Sequence, residues 1–199
     1  MKRSAVVLLL LLTTGTGASA QSLLPIPVSV EVRLGVGFPT GDFANREPGI
    51  QAESGLILGA GAAVHVTRRL ALFGGYSRTR FGCTRCAEQG LDADVTDTGG
   101  DFGLQVILPA PIRGLGPWIR AGGVYHQISF SGTQGELSSD PALGFEVGGG
   151  ISLSLLRAIR LTPGVRYRTY SAELDLGGLG EETVDVSHVL VDVGLSYRF

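Results

Sequence analysis

From Val30 onward, apolar residues recur at every second position along most of the chain. In Val30 to Phe38, the residues Val30, Val32, Leu34, Val36 and Phe38 share one face, while Glu31, Arg33, Gly35 and Gly37 share the other. Sustained alternation of this kind predicts a strand. Gly55 to Thr67 repeats it, with Leu56, Leu58, Ala60, Ala62, Val64 and Val66 against small residues and His65. Gly100 to Leu108 sets Phe102, Leu104, Val106 and Leu108 against Asp101, Gly103 and Gln105, and Leu143 to Leu155 opposes Phe145, Val147, Ile151, Leu153 and Leu155 to Glu146, Gly148, Gly150, Ser152 and Ser154. A further segment sets Ile159, Leu161, Val165 and Tyr167 against Arg160, Thr162, Arg166 and Arg168. The last sets Val189, Val191, Val193, Leu195, Tyr197 and Phe199 against His188, Asp192, Ser196 and Arg198.

Two more segments alternate with a less obvious phase. In Pro117 to Ser129, an arginine facing lipid at mid-membrane costs about 2–4 kcal/mol. Arg120 and His126 are therefore turned inward, leaving Ile119, Ala121, Gly123 and Tyr125 outside. In Leu70 to Arg80, Leu70, Leu72 and Tyr76 are taken as outward, which points Phe73 inward. The count is eight strands.

The polar face decides what kind of barrel or sandwich these strands build. In a soluble sandwich it would meet water and carry long charged side chains. Here it is mainly glycine, alanine and serine with a few arginines and acids, which suits the narrow interior of an eight-stranded cylinder. Glu31, Arg33, Asp101, Glu146, Arg160, Arg166, Arg168, Asp192 and Arg198 all fall on that inner face. Buried charges need partners, so these nine are expected to form an ion-pair network that fills the lumen. The predicted fold is all-β: an eight-stranded antiparallel transmembrane β-barrel in up-and-down order.

Connections alternate long and short. Pro39 to Ser54, Phe81 to Gly99, Phe130 to Ala142 and Ser171 to Thr183 are long and polar, whereas Arg68-Arg69, Pro109 to Gly116 and Arg157-Ala158 are short. Outer-membrane barrels have this rhythm, with short periplasmic turns and longer external loops. With periplasmic termini, Phe38, Tyr76, Phe102, Tyr125, Phe145 and Tyr167 gather at the outer membrane surface as an aromatic girdle, and Tyr197 and Phe199 mark the inner one.

The first residues add the compartment. Lys2 and Arg3 precede the apolar run Ala5 to Leu12, and Ala18-Ser19-Ala20 offers a cleavage site, so residues 1–20 are expected to be a secretory signal peptide and 21–199 the barrel domain. The apolar run is too short for a membrane-spanning helix. Lysine occurs once in the chain, at Lys2, and the net charge of −2 lacks the basic excess of a nucleic-acid binder. Cys83 and Cys86 form a C-x-x-C pair. Without a βαβ setting or a further pair of zinc ligands, the expected state in an exported protein is a loop disulfide. No cofactor or metal is expected. Asp92, Asp94, Asp97 and Asp101 crowd one long loop, but Asp97 stands where a calcium-binding EF-hand loop needs glycine, so they are read as solvated loop acids.

The final residues Asp192, Gly194, Tyr197 and Phe199 resemble the terminal assembly signal of bacterial outer-membrane proteins. With the strand count and loop rhythm, the chain resembles the small barrels of the OmpA/OmpX type, the outer membrane protein beta-barrel domain family. That resemblance implies residence in the cell outer membrane, with membrane lipids and lipopolysaccharide as surroundings. It also implies handling by the barrel-assembly machinery during biogenesis. Because the chain stops at the last strand, no peptidoglycan-binding domain is carried over.

Three roles then compete. The first is structural or interactive, serving envelope integrity or presenting surface loops for adhesion or binding. The second is a small porin-like channel, although open aqueous pores belong to barrels of about 16–18 strands. The third is a lipid A-modifying membrane enzyme. Its candidates are poor, since His126 with Ser129, and His188 with Ser187, sit at spacings that place each pair on opposite faces. No enzyme activity is expected. Arg78 and Arg80 are candidates to meet lipopolysaccharide phosphates.

Overall fold

A computed structural model describes residues 26–45, 52–83, 94–132, 135–175 and 181–199. Residues 1–20, Cys86 and Asp92 lie outside the described residues, and the side chains of Cys83 and Asp94 do too. The elements in order are β1 (Val28–Thr40), α1 (Asp42–Asn45), β2 (Ala52–His65), β3 (Leu70–Cys83), β4 (Asp94–Ile107), β5 (Leu115–Gly132), β6 (Gly135–Ser138), β7 (Ala142–Ser154), β8 (Ile159–Asp175) and β9 (Glu181–Arg198).

Every strand pairing is antiparallel, and each long strand pairs with its neighbour in sequence. The ring closes where β1 meets β9, from Ser29 opposite Arg198 to Thr40 opposite Ser187. Eight strands therefore form a closed meander, which leaves no free sheet edge. The ninth, β6, is a short return that pairs only with the end of β5. The start of β1, the end of β9 and the connections at residues 66–69, 108–114 and 155–158 lie at one end of the barrel, called here the turn end. At the first of these turns, Thr67 Oγ1 accepts hydrogen bonds from the Arg69 and Leu70 amides at 3.1 and 2.9 Å. The opposite end, where α1 and β6 lie, is called the loop end.

The outer face follows the alternation read from the sequence. Leu34, Leu58, Leu72, Leu104, Ile119, Val147, Val165 and Val193 all point away from the barrel and are exposed, Leu58 by 63%. A belt of large apolar side chains with no protein over it is stable only with lipid as its solvent. Arg120 turns inward, and Phe73 also points in, with the Arg120 guanidinium 4.6 Å from its ring centroid. Tight spots in the interior are met by glycine. A Cβ on Gly164 would lie 2.6 Å from Cζ2 of the inward-facing Trp118.

The strands run further toward the loop end than the alternation predicts, and polarity inverts as they do so. On β9, Val189 to Tyr197 put apolar residues outside, but beyond Ser187 it is Val186 and Val184 that are buried inside while Asp185 and Thr183 face out. On β8, Tyr167 faces out, yet Tyr170 and Ala172 are buried inside. The same change separates Tyr125 from Ile128 on β5, Tyr76 from Phe81 on β3, and Phe102 from Val95 on β4. One consequence corrects the sequence reading. Asp97 is not a solvated loop acid: it lies within β4, two pleats from Asp101, and is fully buried.

Candidate functional site: a filled lumen and its vestibule

The interior is layered from the loop end to the turn end. The uppermost layer is apolar. Phe81, Val95, Ile128, Tyr170, Ala172, Val184 and Val186 pack together there with Phe43 of α1, whose ring meets Phe81 edge-to-face at 5.4 Å between centroids. The short helix thus inserts an aromatic cap into the mouth.

Beneath it lies a polar layer around Asp97. His126 Nδ1 is 2.6 Å from Asp97 Oδ1, and the Tyr170 hydroxyl donates to the same oxygen at 2.9 Å. His188 Nε2 stands 3.4 Å from Asp97 Oδ2. Arg168 Nη1 reaches the Ser77 hydroxyl at 3.2 Å and Asp97 Oδ2 at 3.7 Å.

The middle layer is ionic and is centred on Glu146. Arg120 bonds its Oε1, while Arg168 donates to Oε2 through Nη2 at 2.8 Å and Arg166 through Nη1 at 3.5 Å. Arg166 also clamps Asp192, donating through Nε at 2.8 Å and again through Nη2. On the other side, Arg120 reaches Asp101 Oδ2 at 3.5 Å, and Arg33 Nη2 donates to both Asp101 oxygens at 3.2 Å. Arg33 Nε is 3.8 Å from Glu31, which accepts a 2.8 Å hydrogen bond from Thr162. These contacts form one continuous network across the barrel.

Of the nine residues expected in such a network, seven are joined: Glu31, Arg33, Asp101, Glu146, Arg166, Arg168 and Asp192. Arg160 and Arg198 stand apart, with no carboxylate partner among the described residues. They line a partly open vestibule at the turn end. The network also holds Asp97 and Arg120, which were not in the expected set. Asp97 shares the pleat parity of Asp101, so extending β4 would have found it. Arg120 had already been turned inward.

Other candidates are placed as follows. Phe38, Tyr76, Phe102, Tyr125, Phe145 and Tyr167 are all exposed on the outer face, and Phe145 and Tyr167 lie 6.4 Å apart. Tyr197 and Phe199 stack edge-to-face at 5.0 Å at the turn end. Asp192 and Gly194 have roles in the finished barrel, since Asp192 holds Arg166 and a Cβ on Gly194 would meet Glu31 Cδ at 2.8 Å. His126 is buried in the lumen, whereas Ser129 is bonded to Ser138 and shares no contact with it. Ser187 bonds Thr40 on the side opposite His188. Arg78 and Arg80 are exposed on the outer face beyond Tyr76. Among the described residues, no group of three or more acids, histidines and cysteines is arranged to hold a metal.

Comparison with solved structures matches this layout. Neisserial surface protein A superposes over 86% of this chain and 97% of its own, with a TM-score of 0.65 and 13% identity. The chain has the fold of the small outer-membrane β-barrels. Ail, the attachment invasion locus protein of Yersinia pestis, matches over 88% of this chain and 100% of its own at a TM-score of 0.55 and 14% identity, in a complex with the heparin analogue sucrose octasulfate. Outer membrane protein OprG from Pseudomonas aeruginosa matches over 86% and 95% at 0.56 and 14% identity. No family model matches the sequence, and no curated protein matches it either. The likeness lies in the fold.

Proposed function

We propose that this chain is a structural and interaction protein of the outer membrane. In this reading the barrel is a rigid, lipid-embedded support that contributes to envelope integrity and holds its loop end outside the cell for adhesion or binding. The observation that carries the reading is the filled lumen: an apolar layer capped by Phe43 sits over an ionic layer whose arginines are held by carboxylates. An ion would have to break several buried pairs to pass, which opposes a channel. His126 is held on Asp97 and His188 stands 3.4 Å from it inside the barrel, away from Ser129 and Ser187, and the proposal contains no catalytic step.

Lipid and lipopolysaccharide are the surroundings this surface fits. Arg78 and Arg80 sit just beyond the aromatic Tyr76, where guanidinium forks meet phosphate groups. The segment Asp192 to Phe199 is proposed as the part recognised by the barrel-assembly machinery. The test is a pair of measurements on the purified chain. A compact form that migrates faster on a gel until it is heated, together with no discrete current steps in a planar bilayer, is the expected result. Reproducible single-channel steps that change when Glu146 is substituted would overturn the structural role in favour of a channel.

A further inference from the structure

We infer that the turn-end vestibule is a binding site for the phosphate group of a small ligand. Elsewhere in the lumen each arginine meets a carboxylate. At this end the rule breaks. Arg160 lies directly across from Ser196, and Arg198 directly across from Ser29, so the two arginines occupy diagonal positions on β8 and β9 of the same inner face. Diagonal neighbours are within reach of long side chains, and like charges so placed repel. The two carboxylates lining the vestibule are already engaged, Glu31 by Arg33 and Thr162, and Asp101 by Arg33 and Arg120. Arg33 and Arg120 are matched by Glu31, Asp101 and Glu146, so the positive charge left for something else to neutralise is that of Arg160 and Arg198.

The remaining lining suits an oxyanion. Ser29, Ser152 and Ser196 supply hydroxyl donors around the arginine pair. His65 donates or accepts through Nε2 with Ser29 at 3.1 Å, while its Nδ1 is buried without a partner, as are Nε of Arg33 and Nε of Arg120. These three nitrogens belong to side chains that line the same space and are more than nine-tenths buried. Unmade hydrogen bonds at buried polar atoms are costly, and an oxyanion with bridging water would satisfy them. Guanidinium forks match phosphate in geometry as well as charge. The vestibule is partly open, so the organic part of a phosphate ester can stay outside it while the phosphate meets the arginines. Two sources carry this chemistry: a free ester in the compartment at the turn end, and the headgroup of a phospholipid at the barrel rim.

The experiment uses the chain refolded in non-ionic detergent at low ionic strength, titrated calorimetrically with inorganic phosphate. Saturable one-to-one binding is expected, weakened about tenfold or more by Arg160→Gln. Arg157→Gln, an exposed turn-end arginine outside the vestibule, should leave binding unchanged. Because Arg198 lies in the closing strand, Arg198→Gln is read only in material that keeps its heat-dependent gel shift, and it should repeat the loss. Adding glycerol phosphate in one arm and short-chain phosphatidylglycerol in another identifies the source: the one that displaces inorganic phosphate at lower concentration is the better ligand, and either supports the site. Absence of saturation, undiminished binding in the Arg160→Gln/Arg198→Gln double variant, or equal loss with Arg157→Gln would overturn the inference.

Discussion

Replacing Glu146 by glutamine tests whether the lumen is dry. The carboxylate serves three arginines, with Arg120 on one oxygen and Arg166 and Arg168 on the other, and it is 1% exposed. Glutamine keeps the shape but removes the charge. It also turns an NH2 group toward guanidinium donors on one side, so at least one of the three contacts becomes donor against donor. The buried layers then hold Arg33, Arg120, Arg166 and Arg168 against Asp97, Asp101 and Asp192 alone. Removing one partner from a buried ionic cluster costs about 3–5 kcal/mol. For a chain of this size that corresponds to a fall in unfolding temperature on the order of 10 °C. Glu31→Gln is the internal comparison. Glu31 is 27% exposed and meets Arg33 only at 3.8 Å, so its loss should cost less than about 1 kcal/mol. The assay follows the fraction of compact, fast-migrating protein against temperature and against urea at neutral pH. If both variants unfold together with the parent, the lumen is hydrated well enough to screen its charges, and the sealed interior is wrong.

Two further predictions concern the outside of the barrel and its last strand. Arginine placed at Leu58 or Val193 should destabilise the protein by about 2–4 kcal/mol in lipid vesicles, whereas arginine at Ser171 or Thr183, past the polarity change, should lie within about 1 kcal/mol of the parent; equal effects at all four would remove lipid from the account. Deleting Phe199 should sharply reduce the amount of folded barrel in cells while leaving refolding in detergent nearly intact, because its ring is exposed beside Tyr197 and its amide adds one hydrogen bond to Val28; normal cellular assembly of that variant would strip the terminal segment of its assembly role.

The parts of the fold within the membrane were legible because one simple rule governs them. Where lipid lies outside and packed polar groups lie inside, the apolar residues keep a single parity, as Val30 to Phe38 and Val189 to Phe199 do. The loop-end extensions were illegible for the same reason. Across Ser187-His188 the apolar residues change from mainly odd-numbered and outward to even-numbered and inward, so a rule based on one phase stops at His188 and leaves Val184 and Val186 out of the strand. Asp97 was lost that way. The ion pairs were legible only as a composition. Arg33 meets Asp101 across four strands of the ring, a distance that period two along either strand does not encode. Nor does it tell Arg166, which finds an acid, from Arg160, which does not. The short α1 gave no periodic signal, and Phe43 was invisible as the cap.

The inversion along β8 and β9 carries more than a boundary. A strand of 18 residues such as β9 extends roughly 60 Å, and at the usual tilt of about 45° it rises some 40 Å along the barrel axis. The apolar band of such barrels is about 25 Å tall, so a substantial part of the cylinder stands clear of the hydrocarbon. A soluble sandwich has its grease inside, and a membrane barrel has it outside. This chain does both on one strand, which is explicable only if the solvent changes along it. The two halves are then held together by different forces. The embedded half relies on closed backbone pairing, lipid contact and the ion network around Glu146. The projecting half has a hydrophobic core of its own, with Phe81, Val95, Ile128, Val184 and Val186 packed under Phe43. That core gives the loop-end strands a rigid base independent of the membrane. It also places a water-excluding layer directly above the charges, so the feature that stiffens the external rim is the one that seals the lumen.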